Sequence, residues 1–266
     1  DLLDGTHYEP GQVGWAVTDY YGDKYHGKVS QHSPFLMFDQ RINTQWRLVW
    51  GARAEYYKYE LLQTQRKDAV EEGFDEKQLD DKLWEFLPSV NFTYSPTTKM
   101  NMRLAYSRAV IRPSFQERTA IPFYDPLASA RIINASGVIS TIVDNYDFKW
   151  EWFPGLGEIL SFGVYHKKFI NPIERVGYRA PEGSLDLYVA NSKQAILTGF
   201  EAEIRKSFGF IGQNPFLNKF FVSANFTFND TKVTGYINRF GKDGQADTST
   251  YKANRPMYGQ TPWAYN

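Results

Sequence analysis

Along most of this chain apolar and polar residues alternate with a period of two, which in a strand sends successive side chains to opposite faces. Phe220, Val222, Ala224, Phe226 and Phe228 share one parity, while Phe221, Ser223, Asn225, Thr227 and Asn229 take the other. Tyr146, Phe148, Trp150 and Trp152 oppose Asp147, Lys149 and Glu151, and Phe200, Ala202 and Ile204 oppose Glu201, Glu203 and Arg205, with Lys206 breaking the pattern. Met100, Met102, Leu104 and Tyr106 stand against Asn101, Arg103 and Ser107, and Trp46, Leu48, Trp50 and Tyr56 against Arg47, Arg53 and Glu55. Phe86, Val90, Phe92 and Tyr94 oppose Ser89, Asn91 and Thr93. The alternation predicts strands over residues 34–43, 46–60, 84–95, 99–110, 143–153, 158–169, 195–208 and 219–230, with another beginning near 257. Pro88 falls inside one of them and has no N–H for the ladder, so a bulge or the strand's first turns is expected there.

The connections carry a second pattern. Residues 43–45, 95–98 and 154–157 are short and hold the Asn, Pro, Gly and Ser of tight turns, and 209–218 is a somewhat longer link. Between them lie 61–83, 111–142, 171–194 and 231–256, each far longer than a hairpin loop. An up-and-down transmembrane β-barrel keeps short turns on its periplasmic side and long loops outside, with an apolar outer face and a polar lumen. A soluble sandwich has no reason to gather its long loops at one end. The pattern therefore predicts an all-β, antiparallel up-and-down transmembrane β-barrel, of which residues 34–266 supply about eight or nine strands of a larger barrel. Residues 1–33, rich in glycine, are expected as an irregular lead-in with a possible strand around Val13, Trp15 and Val17. The charged run 65–82 reads as a solvated loop face, with a short helix as the alternative.

Composition narrows the classes. Aromatic residues make up 17% of the 266, which suits β structure or a membrane interface, and cysteine is absent, which removes disulfide frameworks and Cys-based metal or redox sites. A formal net charge of +0 lacks the field of a nucleic-acid binder, so no nucleic-acid partner is expected. No apolar run is long enough for a spanning helix, and residues 1–33 carry no secretory signal.

The residues Ser107-Arg108-Ala109-Val110-Ile111-Arg112-Pro113-Ser114-Phe115, then Pro122-Phe123-Tyr124-Asp125, form an ordered series with Asn145-Tyr146-Asp147, Phe153-Pro154, Lys167-Lys168-Phe169-Ile170-Asn171-Pro172-Ile173-Glu174, Asn191 and Gly199-Phe200-Glu201-Ala202-Glu203. Taken together they resemble the C-terminal part of the barrel of TonB-dependent outer-membrane receptors of the Bacteroidota type. Where that family often has Asn-Pro-x-Leu-x-Pro, this chain reads Ala135-Ser136-Gly137-Val138-Ile139-Ser140. The resemblance implies a barrel of about twenty-two strands closed by an N-terminal plug. It implies energised uptake of a solute across a bacterial outer membrane, with outer-membrane lipid, the plug and TonB as partners, and a surface lipoprotein or other envelope proteins as further candidates. The plug and the final strands are expected to lie outside this chain, which stops in what reads as the start of a strand.

For such a receptor, ligand-binding candidates at the outer loops are Phe115, Phe123, Tyr124, Tyr178, Tyr188, Tyr236 and Tyr251, whose rings offer stacking area, although the same rings could pack the loops against one another. Lumen- or plug-facing candidates are Arg47, Arg53, Glu55, Arg103, Lys149, Glu151, Glu201, Glu203 and Arg205, which could equally pair across strands. Trp46, Trp150, Trp152 and Trp263 suit an interfacial girdle or a buried core. No catalytic motif, metal-ligand spacing or phosphate-cradling loop occurs, so no enzyme activity, metal or cofactor is expected. A structural barrel in a multi-protein envelope complex, and a soluble carbohydrate-binding β-sandwich, remain alternative readings.

Overall fold

The computed structural model describes residues 24–66, 74–119, 121–134, 137–179, 183, 185–211, 216–236, 239–240, 246–247 and 250–266. In chain order the elements begin with β1 (Lys24–His32), β2 (Phe35–Arg41), β3 (Trp46–Arg66), β4 (Phe74–Thr97) and β5 (Met100–Ile111). The next connection holds α1 (Phe115–Arg118), β6 (Phe123–Asp125) and β7 (Ala130–Asn134). Then follow β8 (Thr141–Trp152), β9 (Ile159–Ile170), β10 (Ile173–Arg179), β11 (Leu185–Asn191), β12 (Gln194–Ser207) and β13 (Phe221–Tyr236). The chain closes with β14 (Arg239–Phe240), β15 (Ala246–Asp247), β16 (Thr250–Arg255) and β17 (Trp263–Tyr265).

One antiparallel sheet runs in the order β1-β3-β4-β5-β8-β9-β12-β13-β16, with β2 also on β3 and β17 also on β13. The path is open, with β1 and β2 at one edge and β16 and β17 at the other. β1 and β2 hold the same register on β3, His32 facing Tyr56 and Phe35 facing Arg53. They are one edge strand interrupted at Pro34, where an edge position tolerates a residue with no N–H. Pro88 departs from expectation. It sits in mid-β4 opposite Ala52 with no register shift, and the β4–β5 pairing starts one residue later at Ser89, so the missing N–H coincides with the end of that ladder. The stretch 61–83 also departs, because β3 has 21 residues and β4 has 24, and the two strands run on together up to residues 66 and 74. That length is roughly twice the 9–11 residues a tilted strand needs to cross a bilayer.

Register converts the alternation into two surfaces. One row of directly opposed residues runs Leu48, Phe92, Leu104, Phe148, Val164, Phe200, Phe228 and Trp263 across β3, β4, β5, β8, β9, β12, β13 and β17. The next runs Trp46, Tyr94, Met102, Trp150, Phe162, Ala202, Phe226 and Tyr265. These side chains face outward: Leu104 is 59% exposed, whereas Glu151 and Ser161, of the opposite parity, are 7% and 3% exposed. A continuous apolar surface of this breadth does not suit water. The polar parity runs Arg47, Thr93, Arg103, Lys149, Gly163, Glu201 and Thr227 across the same strands. Gly199 belongs to this parity, and a Cβ there would stand 2.5 Å from the Phe228 carbonyl oxygen and 2.7 Å from the Tyr165 ring, so the tyrosine lies over the glycine.

Antiparallel order puts the connections at residues 42–45, 98–99, 153–158 and 208–220 at one end and those after β3, β5, β9 and β13 at the other. At the short end the Asn43 Oδ1 accepts from the backbone N–H of Gln45 (2.8 Å) and Trp46 (2.9 Å), an Asx turn. The turns are stitched sideways by Ser95 N–H donating to Gln45 O (2.8 Å) and Lys99 Nζ donating to Pro154 O (3.1 Å). There too Lys206 Nζ and the Ser207 hydroxyl donate to Glu158, each at 2.7 Å, and hold its carboxyl below its ordinary value. At the long end two connections build a separate four-stranded sheet, β10-β11-β7-β6, in which β11 and β7 are parallel. Its own small core contains Ala130, Ile132, Val138, Leu187 and Val189. This second sheet is made of loop segments and is not the facing layer that a sandwich would need.

Candidate functional site

The polar face gathers its ionisable residues into two groups. In the first, Arg103 on β5, Lys149 and Glu151 on β8 and Glu201 on β12 form a chain of pairs: Arg103–Glu151 at 3.1 Å, Lys149–Glu151 at 3.7 Å and Lys149–Glu201 at 3.8 Å. Arg103 and Lys149 are directly opposite in register, a like-charge contact that the Glu151 carboxylate between them offsets. The second group lies further toward the long connections. There Glu55, 2% exposed, receives Arg112 at 2.9 Å and Arg53 at 3.4 Å, and Arg112 also donates to the Ser140 hydroxyl at 3.2 Å.

Arg112 opens a strap, residues 112–119, that crosses the polar face of β3. Ser114 caps α1 with a capping box: its hydroxyl accepts from the Glu117 N–H at 3.2 Å, and the Glu117 carboxylate accepts from the Ser114 N–H at 2.8 Å. The cap fixes a four-residue helix whose Phe115 stacks on Tyr59 at 5.5 Å and whose Arg118 lies 4.1 Å above the same ring. Phe115 also fills the notch over Gly27, where a Cβ would come within 2.3 Å of its ring. Thr119 follows, its hydroxyl donating to the Gln63 Oε1 at 3.0 Å. Tyr57, Tyr59, Leu61 and Gln63, successive residues of one parity on β3, are buried beneath the strap.

A third tie joins the long connections to one another. The Asn191 amide donates to the carbonyls of Asn171 (2.8 Å) and Ile139 (3.0 Å) and accepts from the Ile139 N–H (2.8 Å). Arg131 pairs with the buried Asp186 at 2.9 Å within the small sheet. Arg255, just before the last segment, reaches back to the buried Glu174 at 2.8 Å.

The residues expected from sequence therefore divide. Arg103, Lys149, Glu151 and Glu201 meet in one network, and Arg53 and Glu55 in another. Arg47 pairs with Asp39 of the edge strand at 2.6 Å, Glu203 faces Ser161 and Asn225 in register, and Arg205 stacks over Phe221 at 5.1 Å near the short end. Among the aromatics, Phe115 lies on the β3 wall, Phe123 packs on the small core, and Tyr124, 65% exposed, and Tyr188 lie on the strands of the small sheet. Tyr178, Tyr236 and Tyr251 fall on β10, β13 and β16 with side chains outside the described residues, as Val13, Trp15 and Val17 are altogether. Trp46 stacks on Tyr94 at 4.0 Å, and Trp263, 54% exposed, stacks on Tyr265 at 5.6 Å. Arg112, Arg118, Tyr57, Tyr59 and Gln63 were not among the expected site residues. The Ser114-x-x-Glu117 spacing was the available signal for the helix that brings the strap's residues in. Among the described residues no group of three or more His, Asp or Glu is placed to hold a metal ion.

The family model described as TonB dependent receptor-like, beta-barrel matches residues 2–266. Among solved structures, the siderophore receptor PiuA from Acinetobacter baumannii superposes with a TM-score of 0.64 at 14% identity, covering 91% of this chain and 31% of that one. The copper transporter OprC gives a TM-score of 0.57 at 14% identity over 78% of this chain and 30% of its own. The ferric-catecholate import receptor Fiu from K12 E. coli gives 0.56 at 12% identity over 87% and 32%. At these identities the likeness is one of fold, and the chain spans about a third of the length of each protein. No curated protein matches the sequence.

Proposed function

Since the chain belongs to the TonB-dependent receptor-like β-barrel family, whose barrels are outer-membrane proteins of Gram-negative bacteria, we propose that it is the C-terminal part of the barrel wall of a receptor that takes up a solute with energy delivered through TonB. The family and the structural neighbours are receptors and transporters, not enzymes. The observation that carries the proposal is the pairing of one broad apolar face with one polar face, with the two longest connections, after β5 and β9, at the same end. On this reading the apolar rows meet outer-membrane lipid, and the short turns lie in the periplasm, where TonB acts. The barrel segment begins with β1 at Lys24 and runs to residue 266, so its first strand lies inside the stretch 1–33 expected as a lead-in. Arg103, Lys149, Glu151, Glu201 and the Arg53–Glu55–Arg112 group line the lumen against the plug. Tyr124 and Tyr188 on the loop sheet form the solute-facing surface at the mouth. The ordered motif series supports a Bacteroidota-type receptor, in which a surface lipoprotein would sit over that mouth.

Cysteines introduced singly into the full-length receptor test the topology. In whole cells Leu127→Cys and Gly183→Cys should react with an impermeant thiol reagent, while Thr97→Cys and Gly155→Cys should react only after lysis. Equal labelling of both sets would defeat the arrangement. Co-purification of the full-length receptor with the C-terminal domain of TonB tests the energy source.

A further inference from the structure

The strap that crosses β3 holds a cation whose partner is not on the described residues. Arg118 is 5% exposed, and its Nε and Nη2 atoms are buried without a hydrogen-bond partner, as is the Tyr59 hydroxyl. The Glu55 carboxylate close by is taken by Arg112 and Arg53, Glu117 is taken by the Ser114 cap, and no described carboxylate lies within ion-pair distance of Arg118. Among the described residues the guanidinium meets ring faces, Tyr59 at 4.1 Å and Tyr57 at 5.8 Å. A cation–π contact recovers less than the cost of burying a guanidinium with its donors unmade. Yet the position is built with care: a capping box, the Phe115 ring in the Gly27 notch, the Thr119–Gln63 hydrogen bond and the Arg112–Glu55 pair all fix the strap that presents Arg118.

The two unmade donors identify the missing chemistry. Nε and Nη2 form the side-on fork of the guanidinium, the edge that matches the two oxygens of a carboxylate in parallel N–H···O bonds. We propose that Arg118, with the Tyr59 hydroxyl beside it, is the receptor for a single carboxylate presented from the lumen near the mouth of the barrel. The proposal rests on the receptor reading, because it takes the polar face of β3 as lumen wall. Both donor atoms are shut off from bulk water, so the carboxylate engages them as the strap shifts, and its binding tightens the strap on the wall. The carboxylate comes from one of two sources: the solute, or an acidic side chain of the receptor's own plug.

The test uses the full-length receptor, first shown to be inserted by its heat-modifiable migration, so that failure of the barrel reading is seen separately. Thermal midpoints are measured for wild type, Arg118→Lys, Arg118→Gln and Tyr59→Phe against rising acetate and citrate, with inorganic phosphate as the comparison ion. A solute-type site gives a wild-type midpoint that climbs with the logarithm of carboxylate concentration. Arg118→Lys abolishes that response, because an ammonium keeps the charge and loses the fork, and Tyr59→Phe weakens it. A plug-occupied site gives no response to added carboxylate. In that case Arg118→Gln and Arg118→Lys both lower the midpoint, and one plug Asp or Glu changed to its amide lowers it by the same amount without adding to the Arg118 loss. A response to phosphate without one to carboxylate overturns the assignment. So does Arg118→Gln as stable as wild type, or an Arg118 loss with neither carboxylate response nor a coupled acid, since stacking on Tyr59 alone would account for it.

Discussion

An arginine placed at Ala202 should block insertion where the same residue at Glu203 does not. Ala202 belongs to the apolar row, flanked in register by Phe162 and Phe226, while its neighbour Glu203 faces Ser161 and Asn225 on the polar side. β12 ends at Ser207, so Ala202 stands five residues inside it. At about 3.4 Å per residue that is roughly 17 Å along the strand. At a tilt near 45° it becomes about 12 Å of depth, close to the middle of an apolar band about 25 Å tall. Near the midplane an arginine costs about 2–4 kcal/mol. The long side chain of arginine could relieve part of this by reaching for the turn-side interface, where Lys206 already stands on the same face. Ala202→Leu, which keeps the surface apolar, should be neutral within about 0.5 kcal/mol. The assay is urea titration of the full-length receptor folded into lipid vesicles, with insertion followed by heat-modifiable migration. Glu203→Arg and Glu203→Leu should leave insertion intact. Equal tolerance of arginine at Ala202 and Glu203 would refute the assignment of the apolar rows to lipid.

Gly199→Val should impair assembly, because its Cβ alone would stand 2.5 Å from the Phe228 carbonyl oxygen and 2.7 Å from the Tyr165 ring; overpacking of that kind costs about 1–3 kcal/mol or more, read as a lower urea midpoint. Removing Arg112 by Arg112→Ala should destabilise by about 2–3 kcal/mol, below the full cost of an orphaned buried carboxylate because Arg53 at 3.4 Å still serves Glu55, and the double variant Glu55→Gln/Arg112→Ala should recover part of the loss in the same titration. Glu158 supplies a pH test: the Lys206 and Ser207 hydrogen bonds lower its carboxyl from the ordinary 4.5, so their stabilisation is fully present above that value and is lost as pH falls through the depressed one. Wild type should then lose stability relative to Glu158→Gln only in the acid range below 4.5, and parallel pH profiles for the two proteins would contradict the pairing.

Most strands of the main sheet were legible because each obeys a rule confined to its own residues, whereas β1 and β16 fall in stretches expected as lead-in and loop. Alternation of Phe220 through Phe228, or of Tyr146 through Trp152, needs only the pleat to assign faces, and the Asn, Gly and Pro clusters mark where the short turns fall. The resemblance carried by the ordered motifs was legible for a related reason, since the Asn191 side chain ties the loops through the Asn171 and Ile139 carbonyls and Asn171 itself holds a φ of 54° that asparagine tolerates. What sequence could not supply is who lies beside whom. Arg103, Lys149, Glu151 and Glu201 come from three strands and meet only through register, and 98 positions of chain separate the first from the last in sequence while 3.8 Å closes the Lys149–Glu201 step. The long connections were read as loops because their polar and apolar residues follow no sustained period. Folded, they pair with each other, β11 lying parallel to β7, and bury a core that neither possesses alone. The burial of Arg118 is likewise a tertiary outcome. The local code sets a capped turn at Ser114, but only the arrival of that turn on Tyr59 of β3 takes the guanidinium out of water and leaves its fork unpaired.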